Sequence, residues 1–393
     1  MNILFVSGEF PPMQGGVGDY TRELGLALRD LGNEVHVATS TRARPVDGLT
    51  VHPVVERWNW GCWSTLLDLV RRHQPDVVHV QYQAAAYAMH PAINLWPRRL
   101  RLLGTDRPRS LVTFHDLKVP YLFPKAGPLR RWVVNELARQ SDAAITTNQE
   151  DCEQLARDLG REPALIPIGS NIAPRLPADF DRDAWRARWG AAPGDLLLCF
   201  FGFINDKKGV DTLLHALASG PLHSAHHPEL VEGPLLLFIG GQTGASDPTN
   251  VAYLARIQAL IVELGLQDRV RWTGYLPDEE VSACFAAADL CVLPFRDGVS
   301  LLHGTLHAAL AHGAAIITTE PRIPLPELAP GENVYLVPRE DAEALAAAIR
   351  HLAARPELCK ALRAGARALA ESFRWDRIAA ATLDLYCALG APA

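Results

Sequence analysis

Leu196–Leu217 reads LLLCFFGFINDKKGVDTLLHAL. An unbroken apolar run, Leu196–Phe201, ends at Gly202, and a polar turn follows with Asn205, Lys207 and Lys208. Gly209 then opens a segment whose apolar residues fall at helical spacing. Strand, glycine turn and helix in that order form the unit from which parallel α/β sheets are assembled. The unit recurs on both sides. Upstream, Asn2–Ser7, Glu34–Thr39, Asp76–Val80, Leu111–Phe114 and Ala143–Thr147 read as strands; downstream, Leu235–Ile239, Val270–Thr273, Leu290–Leu293 and Ala315–Thr318 do the same. The alternation stalls only in the polar, proline-containing stretch 174–195. Two similar halves around a linker predict two doubly wound domains facing each other across a cleft, with ligands at the carboxyl ends of the strands. The boundaries expected are 1–178 for the first domain, 179–373 for the second, and 374–393 for a terminal helix returning towards the first.

Composition agrees with this division and removes several classes of function. A chain of 393 residues that is 48% hydrophobic has enough apolar material for two cores. A net charge of -6 argues against a nucleic-acid partner, which needs a basic surface to neutralise phosphates. Seven scattered cysteines form no Cys-x-x-Cys pair and read as reduced core residues. The opening MNILFVSGEFPP lacks the basic flank of a secretion signal, and no apolar run reaches the roughly 18 residues of a membrane span. A cytoplasmic location is the expectation.

Three turns carry chemistry. SGEFPPMQGGVGDY, Ser7–Tyr20, places Gly15, Gly16 and Gly18 at the opening of a helix expected over Asp19–Leu31. Such a start lets a ligand approach the backbone and favours negative charge; a tight turn alone would also account for it. The spacing is not that of a dinucleotide fingerprint, because Thr21 stands where a third glycine belongs. In the second turn, Lys208 at a helix start suits a diphosphate, with a solvated charge as the alternative. In the third, Leu293–Thr319, Ser300 and Gly304 lie in a strand-turn-helix unit whose small residues also suit close packing. His223, His226 and His227, near Glu229 and Glu232, match no metal-ligand spacing and read as a solvated loop. Nine basic residues between Arg98 and Arg131, with Trp96, Leu102 and Trp132, suit either a solvated face or a peripheral contact with an anionic membrane.

The order of these motifs resembles glycosyltransferase family 4. The matching segments are GGVGDYTREL, PDVVHVQY (Pro75–Tyr82), VTFHDL (Val112–Leu117), IPIGSNI (Ile166–Ile172), KKG (Lys207–Gly209), WTGYLPDEE (Trp272–Glu280), AADLCVLPF (Ala287–Phe295) and GENVYLVP (Gly331–Pro338). The resemblance spans nearly the whole chain. It implies the GT-B fold, two Rossmann-like domains, and retaining transfer of a hexosyl group from a UDP- or GDP-sugar to a hydroxyl acceptor in glycan, polysaccharide or glycolipid synthesis. It places Gly16 and Gly18 against the donor diphosphate, paired with Lys208; Gly15, Asn205, Ser300 and Gly304, read from the turns themselves, complete the donor-binding candidates. Tyr275 and Leu276 would flank the base and His115 would contact the sugar, so His115 and Lys208 are the expected catalytic pair. No cofactor is implied beyond the donor itself, and the lack of an Asp-x-Asp motif at a strand end predicts no metal.

Two departures stand out. Phe203 occupies the position of a family arginine, and the family's Glu-x7-Glu pair falls on Ser300 and Ala308. Asp297, Ser300, His303, Thr305 and His307 are polar groups near enough in sequence to substitute. The alternative reading is a catalytically inactive protein of the same fold that binds or partners another chain.

Overall fold

The computed structural model describes every residue except 14, 106, 118–126, 220–232, 242–247 and 392–393. The histidines and glutamates of the 219–233 segment, and Lys118 and Lys125 of the basic stretch, therefore lie outside the described residues. The chain forms two compact units, Met1–Asn171 with Phe373–Ala393, and Ile172–Ser372.

The first unit contains a seven-stranded sheet: β1 (Asn2–Ser7), β2 (Glu34–Ser40), β3 (Thr50–Val55), β4 (Val77–Tyr82), β5 (Arg109–Phe114), β6 (Ala143–Thr146) and β7 (Ala164–Leu165). The second contains six strands: β8 (Leu197–Phe201), β9 (Leu235–Ile239), β10 (Val270–Trp272), β11 (Leu290–Leu293), β12 (Ile316–Thr319) and β13 (Tyr335–Val337). These strands pair in parallel, in the orders β3-β2-β1-β4-β5-β6-β7 and β10-β9-β8-β11-β12-β13. Helices cover both faces of a parallel sheet, so its central strands are apolar throughout rather than alternating. β4, VVHVQY, is accordingly buried at all its positions, including His79 and Gln81.

The unit boundary comes earlier than 179 for a local reason. Ser282, on the helix Asp278–Ala287, accepts from the Arg175 amide at 3.2 Å and donates to the Ala173 carbonyl at 3.3 Å. Arg175 also pairs with Glu279 at 2.9 Å. Residues 173–175 are thus tied down as part of the second unit. Of the terminal helices, Ala342–Ala353 and Pro356–Ala370 stay with the second unit, and Trp375–Ala388 joins the first. There Ile378, Ala379 and Tyr386 enter the core with Ile3, Phe5, Tyr20 and Leu24.

His79 binds that helix to the sheet. Its Nδ1 lies 2.7 Å from the Tyr386 hydroxyl and its Nε2 lies 2.8 Å from Thr113 Oγ1, with the ring wholly buried. Burial, aided by the neighbouring His115, pushes its pKa down to about 3. Between that value and the ordinary 6.5, the unfolded chain takes up a proton that the folded chain refuses, so stability falls as pH drops through this window. At pH 5.5 the loss is about 1.4 kcal/mol relative to neutral pH. Urea unfolding of His79→Gln at pH 7.5 and 5.5 should show a drop smaller than the parent's by about that amount.

Candidate active site

In the second unit the chain winds outwards from β8 through β9 to β10, then returns to β11 beside β8 and continues the other way. The loops after β8 and β11 therefore leave in opposite directions and open a crevice at the carboxyl ends of these strands. One functional side chain comes from each loop. Lys208 Nζ donates to Thr305 Oγ1 at 2.8 Å, and its ammonium stands 5.1 Å from the centre of the Phe295 ring. The His303 ring stacks on Phe295 with centroids 3.8 Å apart. Burial pushes Lys208 down to about 8, so it is still largely protonated at neutral pH. Thr305 uses one of the three ammonium protons, leaving donors for an anion.

Three contacts hold the lysine in place. Asn205 Oδ1 accepts from the Lys207 amide at 3.1 Å and caps the single turn Asp206–Lys208. Gly209 then takes φ 62°, and a Cβ there would stand 2.0 Å from the Pro294 carbonyl oxygen, so a glycine is required. The Arg296 amide donates to the Lys207 carbonyl at 2.9 Å, while its guanidinium grips Asp211 at 2.7 and 2.9 Å. Beside this loop the helix Gly304–Ala311 begins, and no atom stands within 4 Å of a Cβ built on Gly304. Its first turn presents an open, electropositive helix start next to the ammonium.

The first unit repeats the device, its strand order reversing between β1 and β4. After β1 the chain reaches the helix Gly16–Asp30, whose start is occupied by the chain itself. Glu9 Oε1 accepts from the amides of Val17 at 3.2 Å and Gly18 at 3.4 Å. Burial raises the Glu9 pKa, partly offset by those two amides. After β5, His115 Nε2 lies 3.0 Å from Gln81 Oε1, and its ring meets the edge of Tyr20 at 4.6 Å. With a carbonyl oxygen facing it, Nε2 carries the proton and Nδ1 keeps its lone pair. Burial holds His115 at about 3, so it is a neutral hydrogen-bonding group at working pH.

A family model described as glycosyl transferases group 1 matches residues 181–369, and one described as glycosyltransferase family 4 matches residues 14–173. A D-inositol 3-phosphate glycosyltransferase of Streptomyces scabiei is 30% identical, over 80% of this chain and 69% of the relative. The chain belongs to the group 1 glycosyltransferases. Another D-inositol 3-phosphate glycosyltransferase, from Streptomyces bingchenggensis, is 31% identical over 64% of this chain, an alignment spanning about half, 54%, of that relative. Among solved structures, the Anabaena protein HepE in complex with UDP-glucose superposes with a TM-score of 0.73. It is 17% identical, with 98% of this chain and all of that one covered, and it shares the GT-B fold.

The glycosyltransferase brings Lys208 to Thr305 at the helix start Gly304, and several residues differ from their expected places. The first helix starts at Gly16, so Gly16 and Gly18 belong to its first turn rather than preceding it. Gly15 is pressed against Glu9, where a Cβ would lie 2.0 Å from Oε1, and Gly18 against Phe10; Gly16 alone of the three faces open space. Lys208 closes a short turn of its own, and Gly209 intervenes before the helix Val210–Ala218. Ser300 is engaged locally: its amide donates to His303 Nδ1 at 3.2 Å and its Oγ accepts from the Leu302 amide at 3.2 Å. Ala308 is buried, and Asp297 faces Lys207 at 3.8 Å. Phe203 lies against Gly241. Tyr275 is 79% exposed, with Leu276 half-buried beside it.

Three arginines of the basic stretch are paired with carboxylates. Arg98 pairs with Glu136 at 3.1 Å, Arg107 with Asp142 at 2.7 Å and Arg131 with Asp158 at 2.9 Å, while Trp96 is wholly buried. Among the described residues no helix is long and apolar enough to cross a membrane. Sequence reasoning missed Glu9, Gln81 and Phe295. Glu9 sits inside the first glycine motif and was legible as an acid ahead of a helix start; the other two gave no signal.

Proposed function

We propose that this glycosyltransferase transfers a hexosyl group from a UDP-sugar to a hydroxyl acceptor with retention of configuration and without a metal or other cofactor. One observation carries the reading: the Lys208–Thr305 pair at the point where the second sheet reverses, beside the open helix start at Gly304. A diphosphate leaving group needs positive charge and oriented amides, and the Lys208 ammonium and the Gly304 helix start support that role. Uridine is favoured by the UDP complexes of a structural neighbour. His115 keeps the role that the resemblance gives it, a neutral hydrogen bond to the donor sugar. D-inositol 3-phosphate, named in the curated relatives, is the first acceptor to try.

Calorimetric titration with UDP, GDP and ADP in EDTA should show UDP binding most tightly, with no gain from added magnesium. NMR of the product of a UDP-hexose reaction should show the anomeric configuration of the donor. Failure of all three diphosphates to bind would transfer support to the inactive binding protein, since the loss of the glutamates replaced by Ser300 and Ala308 would then have been decisive.

A further inference from the structure

Among the described residues, His36, His52 and His73 form the one group with the geometry of a metal site. Their available ring nitrogens all lie within 4.8 Å of one another. They are widely spaced in sequence and come from three elements: β2, the edge strand β3, and the last residue of the helix Cys62–His73. The parallel register pairs Ala38 with His52, which sets His36 and His52 two positions apart on neighbouring strands with their rings stacked, centroids 5.3 Å apart. The His73 ring closes the group at 4.6 Å from His36 and 4.7 Å from His52. Its backbone is anchored independently, because Asn2 Nδ2 donates to the His73 carbonyl at 2.7 Å.

We infer that these three histidines bind a zinc-class divalent cation that clamps the edge strand and the helix end to the sheet. His36 Nδ1 and His52 Nε2 stand 3.0 Å apart, and ligands at about 2.05 Å around a tetrahedral zinc would be roughly 3.3 Å apart. A few tenths of an ångström of opening admits the ion between them, with His73 swinging in as the third ligand. The decisive detail is the outer partner. His36 Nε2 faces Glu34 Oε1 at 3.1 Å, so that nitrogen carries the proton and Nδ1 turns its lone pair inwards. A carboxylate fixing the tautomer of a ligating imidazole is the arrangement metal sites use to orient and strengthen the ligand. Imidazole donors select zinc, copper or nickel over magnesium or calcium. Arg72 acts on His52 with like charge and reduces the attraction for a cation. The fourth position is left to water. His36 and His52 are the third residues of their strands, and His73 precedes the start of β4. The site thus lies towards the amino ends of the strands, away from His115 and the glycine helix start, and serves stability rather than sugar transfer.

The test uses the untagged full-length chain stripped with EDTA. Calorimetry should find one zinc per chain at micromolar affinity, and cobalt should give the visible absorption bands of a tetrahedral nitrogen and oxygen site. His52→Asn and His73→Gln should each weaken binding at least about tenfold, and Glu34→Gln roughly tenfold. His351→Asn, a change at a histidine remote in sequence, should leave it unaltered. His73 ends a helix and is only half-buried, so its variant should still fold if His52→Asn does not. Binding weaker than about 1 mM, or unchanged affinity in His73→Gln, would overturn the proposal.

Discussion

Replacing Lys208 by alanine is expected to lower kcat/KM for the donor about 100- to 1000-fold, the usual consequence of removing one preorganised group that meets charge developing on a leaving oxygen. Lys208 is held by Thr305 and the Phe295 ring, with two ammonium protons still to donate. Lys208→Arg should recover little, because a planar guanidinium does not fit a niche shaped for a compact ammonium. Burial places the free lysine at about 8, so donor affinity should weaken about tenfold per pH unit above that value until the bound state also loses its proton. The alanine variant should lack this dependence. A lysine whose pKa is lowered on folding costs stability below about pH 8, and the cost disappears as pH rises from there towards 10.5. Lys208→Ala should therefore be no less stable than the parent at neutral pH, so an activity loss would reflect chemistry rather than unfolding. Activity within threefold of the parent would remove Lys208 from the mechanism.

Asp289→Ala should destabilise the second unit by about 3 kcal/mol, measured by urea unfolding. Asp289 stands just before β11 and gathers the start of the domain. Its Oδ2 accepts from the Leu197 amide at 2.8 Å and from Arg186 at 3.0 Å, and its Oδ1 accepts from Arg182 at 2.6 Å. The Arg186 side chain is only 6% exposed and also donates to the carbonyls of Ala287 and Asp195. Truncating the carboxylate leaves a buried guanidinium without its counter-charge, which costs far more than a surface ion pair returns. Asp289→Asn retains an acceptor for the Leu197 amide and should cost less. A loss below about 1 kcal/mol in the alanine variant would mean that water reaches Arg186 and replaces the carboxylate.

Legibility followed length and locality. Ten strands were read from apolar, β-branched runs because a parallel sheet buried on both faces leaves a continuous apolar signature in each. The three not anticipated, β3, β7 and β13, are weak for physical reasons. β3 is a partly exposed edge strand containing Pro53, and the other two have two and three residues, too few for any period to show. The glycine turn and Lys208 were legible because the chemistry of a loop is written in its own residues. What Lys208 touches was not, since Thr305 is 97 positions away and their meeting depends on the reversal of strand order.

The chain's own residues determined the two-unit α/β architecture, the family and the location of the lysine, since each rests on local pattern or on collinear motifs. Tertiary structure alone decided that Lys208 meets Thr305, that His115 meets Gln81, and that three distant histidines converge at a sheet edge. Those outcomes depend on register and crossover, and a parallel crossover separates spatial neighbours by the length of a helix or more, beyond the range over which local sequence patterns carry information.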